Sequence, residues 1–273
     1  MPSAAALRLE IEHALERRFP AALSPVPRTI REVAATGIAS VDELLQGGLP
    51  VGAISELTGN PSSGRTSLAL QFVARRTLEE RPCAWVDVQD AFDPESAAAN
   101  EVRLRWLLWI RCRDTANAGP AAEGGASAPL ERGARRKARS SWGRLDQALR
   151  ATDLLLQAGG FSSVVLDLGD TAPEQANRIP SATWFRYRQA AERTQCSLVV
   201  LGRRAYAQSA AAVVLECSAQ RAEQASGTVL RDFTFAVRRG RERHAPVEIT
   251  TRKPVAATWQ ANAAWDAETE RRA

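Results

Sequence analysis

The sequence predicts an α/β fold with a mostly parallel central sheet and a nucleotide-type loop at the carboxyl end of its first long strand. Three observations predict it. Short apolar runs alternate with amphipathic stretches at helical spacing along most of the 273 residues. The string Gly59-Asn60-Pro61-Ser62-Ser63-Gly64-Arg65-Thr66-Ser67 follows an apolar run over 53–57 and opens an amphipathic one over 68–78. A further apolar run, over 161–167, ends in an acid, Asp167.

The first of these strings matches G-x-x-x-x-G-K-[ST] at every fixed position except the lysine. In that design, successive backbone N–H groups and a helix N-terminus wrap the phosphates of a nucleotide. Gly59, Ser62, Ser63, Gly64, Arg65, Thr66 and Ser67 are therefore the candidate nucleotide-binding residues. Arg65 stands where the lysine belongs. A guanidinium is planar, wide and forked, whereas the motif needs a compact ammonium that reaches the β- and γ-phosphates, so the exchange is not conservative. Lys137 and Lys253 are the only lysines in the chain, and neither is near in sequence. Two other readings stand beside this one: a small-residue turn that merely links strand to helix, and an arginine-rich composition that reached Arg65 because the site was no longer held to hydrolysis.

Asp167, at the end of its apolar run, fits the strand that ends in an acidic Mg²⁺-holding residue, with Thr66 as the companion hydroxyl; otherwise it is an acid that starts a turn. Neither composition nor charge narrows the class much. A net charge of +5 permits contact with nucleic acid without requiring it. Cys83, Cys112, Cys196 and Cys217 form no C-x-x-C pair, which argues against a metal knuckle and for buried free thiols. No apolar run reaches membrane-spanning length, no signal-peptide order is present at the N-terminus, and the expected compartment is the cytoplasm.

Taken in order, residues 4–19 place Leu7, Ile11, Ala14, Leu15 and Phe19 on one side of an expected amphipathic helix, and 20–31 read as a proline-bearing linker. Residues 1–30 are thus set apart from a core over 31–253, with a tail over 254–273. A short helix starts near Ser40 and stops at Gly47-Gly48. Residues 83–94 give a strand and loop containing Gln89, Asp93 and Pro94, and 104–112 a short run suited to a buried strand. Composition shifts to Ala, Gly, Pro, Ser and Arg over 113–141, read as a disordered insertion with a basic cluster. A helix over 142–158 leads to the Asp167 strand, a helix over 181–195 to a strand over 197–202, and only 203–210 separate that from a strand over 211–217. Residues 229–237 alternate as a strand, joined to 247–250 by a basic turn containing Arg238, Arg239, Arg241, Arg243 and His244. Either phosphate contacts or a solvated hairpin would account for that turn. Arg203, Arg204, Arg238, Arg239 and Arg241 are the candidate nucleic-acid contacts. In the polar tail, Trp259 and Trp265 are either an extended docking segment or fold back on the core.

The segment over 36–52, the P-loop and the strand and loop over 83–94 together resemble the start of the ATPase core in RecA-type recombinases. The resemblance implies a RecA-like P-loop core with an N-terminal helix and a C-terminal β-hairpin, and places Gln89 where the family has its water-activating glutamate. An amide orients water but takes no proton. Asp93-Pro94 matches a family pair, and Ser96 occupies the position of the adenine-stacking tyrosine. Both DNA-gripping loops look shortened, to 203–210 and to about 169–180. Within the superfamily the S-S-G-R-T-S-L-A-L loop, the L-L-W-I-R-C strand and the missing loop look most like ImuA. That likeness implies an SOS-response, DNA-repair accessory of error-prone translesion synthesis and mutagenesis with a degenerate ATP and Mg²⁺ site. It would partner an ImuB-type Y-family polymerase relative, an error-prone replicative-type polymerase and RecA, with weak non-specific DNA binding and no membrane. A DNA-dependent ATPase or recombinase of RecA type and a SulA-like inhibitor of cell division are the alternatives.

Overall fold

The computed structural model describes residues 32–113, 132–225, 229–242 and 256–262. Its frame is an eight-stranded sheet. β1 (Val33–Ala34) and β2 (Leu49–Pro50) form a small antiparallel pair around helix α1 (Ala39–Leu45). Then come β3 (Ile54–Thr58), α2 (Arg65–Leu78), β4 (Cys83–Asp87), α3 (Pro94–Ala99), β5 (Leu107–Arg111) and α4 (Arg132–Ala158). β6 (Ser163–Asp167), α5 (Pro173–Ala176), α6 (Ser181–Thr194), β7 (Ser197–Gly202), β8 (Ala211–Ala225), β9 (Val229–Glu242) and β10 (Ala256–Asn262) complete it. The order across the sheet is β10-β9-β8-β3-β7-β6-β4-β5. β8 through β5 run parallel, and β9 and β10 add to one side antiparallel.

The inner strands are apolar on both faces because helices cover both, the condition that makes a parallel sheet stable. Their alternation sorts side chains into two cores. Trp85, Val165, Val199 and Leu201 face α2 with Leu68, Phe72 and Val73. Ala84, Val86, Val164, Leu166, Leu198 and Val200 face α4 and α6 with Leu145, Leu156, Trp184 and Tyr187. Across the two helices Tyr187 Oη donates to the carbonyl of Leu149 at 2.5 Å and Arg186 pairs with Asp153 at 2.9 Å. All four cysteines are buried and free, as their spacing implies, and burial pushes the Cys217 thiol up to about 12.

Several boundaries differ from the sequence reading. β5 lies at the sheet edge, and Leu108 on it is 45% exposed, so the run over 104–112 is a flank and not a buried strand. α4 begins at Arg132, inside the segment read as a disordered insertion, while 114–131 lie outside the described residues. The basic stretch is not a turn. Arg238, Arg239 and Arg241 belong to β9, whose ladder with β8 continues to Glu242 opposite Val213. A register shift next to Gly240 absorbs the odd residue, and a Cβ there would stand 2.9 Å from Glu216 Oε1. Arg243, His244, 247–250, Trp265 and the expected N-terminal helix over 4–19 lie outside the described residues.

In the polar tail the fold-back alternative holds for Trp259, and what the sequence reading did not give is that the segment is a strand. Residues 256–262 form β10, paired with β9 from Ala256 opposite Arg238 to Asn262 opposite Asp232. Trp259 is 8% exposed, 5.3 Å from the Phe235 ring, and Phe235 stacks at 5.7 Å on Phe233. Ser40 Oγ at the start of α1 donates to the carbonyl of Thr258 at 2.7 Å, which ties off part of the sheet's outer edge. A composition too polar to form a core of its own thus still supplies one alternating strand, Ala257 and Trp259 inward, to a core made elsewhere. Replacing Trp259 by Ala is expected to cost about 3 kcal/mol or more of folding stability, and ending the chain at Lys253 to lower the melting temperature. Denaturant and thermal unfolding check both; unchanged midpoints would mean that β10 is not part of the cooperative unit.

Candidate functional site

Parallel strands place their loops at one end of the sheet, and the segments after β3, β4, β6 and β7 meet there. The P-loop takes its shape from two glycines. A Cβ on Gly59 would stand 2.6 Å from the carbonyl of Cys217 on β8, and Gly64, at φ 86°, closes the loop in the left-handed region as the N-cap of α2. At Gly64 the Phe235 ring lies 2.6 Å from where a Cβ would be. β9 therefore rests against the loop, a contact that no local motif encodes.

Arg65, the first residue of α2, is 7% exposed. Its guanidinium turns back across the loop. Nη1 donates to the carbonyl of Gly59, and Nη2 lies 3.3 Å from the carbonyl of Gly169 and 3.2 Å from Asp170 Oδ1. One side chain thus ties the P-loop to the loop after β6. Arg203, just beyond β7, approaches the same Asp170 oxygen at 3.3 Å. Within the P-loop itself, Ser63 Oγ and Arg65 Nε are buried with no hydrogen-bond partner among the described residues.

Thr66 is exposed and lines a cleft of about 410 Å³ together with Arg65, Gln89, Asp93, Ser96 and Asp167. Asp167 ends β6 beside Asp87, its register partner on β4. Burial pushes its carboxyl up to about 6, against the Gly169 N–H that donates to Oδ1 at 2.8 Å, with Asp87 adding to the rise. Asp87 itself is occupied, accepting from the backbone N–H groups of Gln89 at 3.1 Å and Phe92 at 2.8 Å. Its grip fixes the loop after β4, which Arg111 also holds by pairing with Asp90 at 2.6 Å and lying 4.7 Å over the Trp109 ring.

Gln89 Nε2 donates to Thr171 Oγ1 at 3.2 Å, so its amide bridges two loops at the rim of the cleft. Asp93 is the N-cap of α3, accepting from the N–H groups of Glu95 at 3.2 Å and Ser96 at 3.0 Å. Its carboxyl lies below the usual range because the Ser96 hydroxyl and backbone N–H donate to it. The cleft fits a nucleotide in part: Thr66 and Asp167, which both line it, would offer Mg²⁺ a hydroxyl and a carboxylate, whereas the Arg65 guanidinium is turned onto protein oxygens. Among the described residues no group of three or more His, Cys, Asp or Glu side chains could hold a metal by itself.

The candidate nucleic-acid residues differ in how they are held. Arg203 and Arg204 are exposed beside the cleft, while Arg238 pairs with Glu216 at 2.5 Å and Arg239 donates to the carbonyl of Leu44 at 2.9 Å. Arg241 is placed by its register opposite Val214 alone. Between β7 and β8 the connection 203–210 is pinned, since the buried carboxylate of Glu56 accepts from the N–H groups of Tyr206 at 2.6 Å and Ala207 at 2.9 Å. Sequence reading missed Asp170, Glu56 and Phe235. Asp170 follows Asp167 in a loop with no motif of its own, and the other two act through contacts more than a hundred residues away.

The raised Asp167 carboxyl has a measurable consequence. The fold holds this proton more tightly than an unfolded chain does, so the stability it contributes is complete below pH ~4 and lost as pH rises through about 6. Asp167→Asn keeps an acceptor for Gly169 and never ionises. It is expected to match the parent at pH ~3.5 and to exceed it by on the order of 1–3 kcal/mol at pH ~7.5 in metal-free buffer. Unfolding curves at the two pH values decide; a gap that fails to widen with pH would refute the assignment.

Residues 9–118 match the family model of the RecA N-terminal domain. Protein RecA of Allorhizobium ampelinum is 30% identical over 185 residues, and that of Agrobacterium fabrum 29%; each alignment covers 62% of this chain and 43% of the relative. The chain thus matches less than half the length of these curated relatives. The crystal structure of the RadB recombinase superposes with a TM-score of 0.55 at 16% identity, over 83% of this chain and 94% of that one, a likeness of fold. The matched segment and the relatives make this chain similar to RecA proteins in sequence, and the RadB comparison shows a shared fold.

Proposed function

We propose that this chain is a RecA-like accessory protein of DNA-damage-induced, error-prone translesion synthesis that works by docking to other proteins, with a P-loop that has given up ATP hydrolysis. The observation that carries the second half is Arg65. Hydrolysis of a γ-phosphate depends on positioned charge: a P-loop cation on the phosphates, a divalent ion, and a group that orients or deprotonates water. Here the cation hydrogen-bonds Gly59, Gly169 and Asp170, and the water-activating position holds the amide Gln89. Ser96 leaves adenine without an aromatic platform. Mg²⁺-ATP binding, if retained through Thr66 and Asp167, would then be weak and structural.

Docking is supported by what surrounds the site. The segment after β7, where a mobile DNA loop would be expected from the family resemblance, is eight residues pinned to the buried Glu56. Arg238 and Arg239 are engaged within the protein. DNA affinity under this reading is weak, non-specific and carried by dispersed arginines, hence steeply salt-dependent. The partners are those that the ImuA-like sequence features imply: an ImuB-type Y-family polymerase relative, an error-prone replicative-type polymerase, and RecA itself, all in the cytoplasm. No helix among the described residues is long and apolar enough to cross a membrane.

A RecA-type recombinase is the competing reading, favoured by the RecA relatives and the RadB-like fold. Purified protein separates the two. Under the docking reading, ATP turnover stays at background with or without single-stranded DNA, and the ImuB-type partner is retained in a pull-down. DNA-stimulated turnover that disappears on changing Thr66 and Asp167, or regular filaments on single-stranded DNA, would establish the recombinase instead.

A further inference from the structure

The site at the P-loop carries one more inference, which rests on reading Arg65 as withdrawn from hydrolysis. We propose that Asp170 is a built-in occupant of the P-loop's anion site, a carboxylate that holds Arg65 closed and keeps diphosphate-bearing ligands out, so that its removal opens the loop to them without a metal.

Three features of the geometry lead there. First, Arg65 is a buried cation in direct contact with one carboxylate among the described residues, that of Asp170 at 3.2 Å, and its other acceptors are the carbonyls of Gly59 and Gly169. A buried guanidinium needs an anion, and a phosphate is its natural alternative because the fork meets two oxygens at once. Second, the loop holds donors with nothing to bond. Ser63 Oγ and Arg65 Nε are buried with no hydrogen-bond partner among the described residues, next to the N-terminus of the 14-residue α2. Unsatisfied buried donors cost free energy, and a second oxygen-rich group at the loop would remove that cost.

Third, the latch has somewhere to go. Arg65 is 8% exposed in its side chain, but Asp170 is 52% exposed, so the anion can swing out while the cation stays. Arg203, 40% exposed, already lies 3.3 Å from the same Asp170 oxygen and would keep the carboxylate when Arg65 releases it. The two arginines thus give Asp170 an inner and an outer seat. Only the inner seat competes with a ligand. The class of ligand follows: a diphosphate, free or carried by a nucleotide, bound by Arg65, Ser63 and the backbone N–H groups at the start of α2, beside the cleft of about 410 Å³.

Titration calorimetry on the full chain in EDTA, with pyrophosphate and separately with ATP, tests this. Asp170→Ala and Asp170→Asn are expected to bind pyrophosphate about tenfold or more tighter than the parent, the loss of one charge-assisted competitor. Adding Arg65→Ala to Asp170→Ala should abolish the gain, and Arg203→Ala alone should weaken binding further by leaving Asp170 wholly to Arg65. An equal gain for ATP and pyrophosphate assigns the site to the diphosphate alone; a larger one for ATP assigns it to the whole nucleotide. Circular dichroism establishes that each variant is folded, and the Asn variant keeps the loop's hydrogen-bonding shape should Ala disturb it. If both variants are folded and bind as the parent does, or if the gain survives loss of Arg65, the latch is wrong. Those outcomes leave the docking reading untouched, whereas DNA-stimulated turnover by the parent protein would overturn that reading and not the calorimetry.

Discussion

A guanidinium buried at the first turn of a helix has to find acceptors, because neither its charge nor its N–H groups can be left dry. Much of the functional edge of this sheet is arranged around how Arg65 meets that demand. Gly59 leaves β3 and Gly169 leaves β6, strands separated by β7, so a side chain that reaches both must cross the end of an intervening strand. The planar fork of arginine bonds both loops and Asp170 from one position. The same loop conformation that would cradle phosphate is here stabilised by the protein's own oxygens.

That closure is backed from the other side. The β8–β9 ladder extends past the end of β3, and β10 joins its far side, so Phe235 meets Gly64 while Trp259 backs Phe235. Gly64 cannot carry a side chain there, and the loop cannot lift without disturbing an aromatic stack that is also part of the core. Beneath, the Asp87 carboxylate holds the β4 loop and Glu56 holds the segment after β7. All four connections around the cleft are thus anchored by a buried carboxylate or guanidinium. Rigid loops of this kind suit a surface that is recognised by partners better than one that must open and close on a substrate at each turnover.

What the sequence disclosed and what it hid follow one physical division. Alternation of apolar residues and glycine-bounded loops are local signals, and the strands at 54–58, 83–87, 163–167 and 197–202, together with the P-loop and the buried thiols, were readable from them. Contacts made by distant pairing were not. Nothing near Asp170 marks it as the partner of a residue 105 positions earlier, and nothing near Trp259 shows that an eight-stranded sheet has a place for it. The same blindness made residues 256–262 look like a tail: one alternating strand is too short to announce itself when the core that it completes lies elsewhere. The start of α4 was obscured for another reason, since glycine and serine within Arg132–Ala158 lower intrinsic helix propensity below what composition alone would accept.

The positions that match the P-loop pattern and those that depart from it differ in a way that electrostatics explains. Asp167 and Thr66 still face one cleft, and Asp167 sits close enough to Asp87, in surroundings dry enough, that its carboxyl is raised to about 6. In such a pair a divalent cation is the natural remedy for like charges, and Arg65 supplies part of it, since its charge pulls Asp167 down while its hydrogen bonds go elsewhere. The arginine therefore serves two carboxylates by different means, Asp170 by contact and Asp167 through space. A lysine in the same position, carrying the same charge on a compact head, would offer Asp167 a similar field without the fork that bridges Gly59, Gly169 and Asp170. What the exchange adds is hence geometric more than electrostatic: it converts a cation that waits for a phosphate into one that is already bonded to the protein.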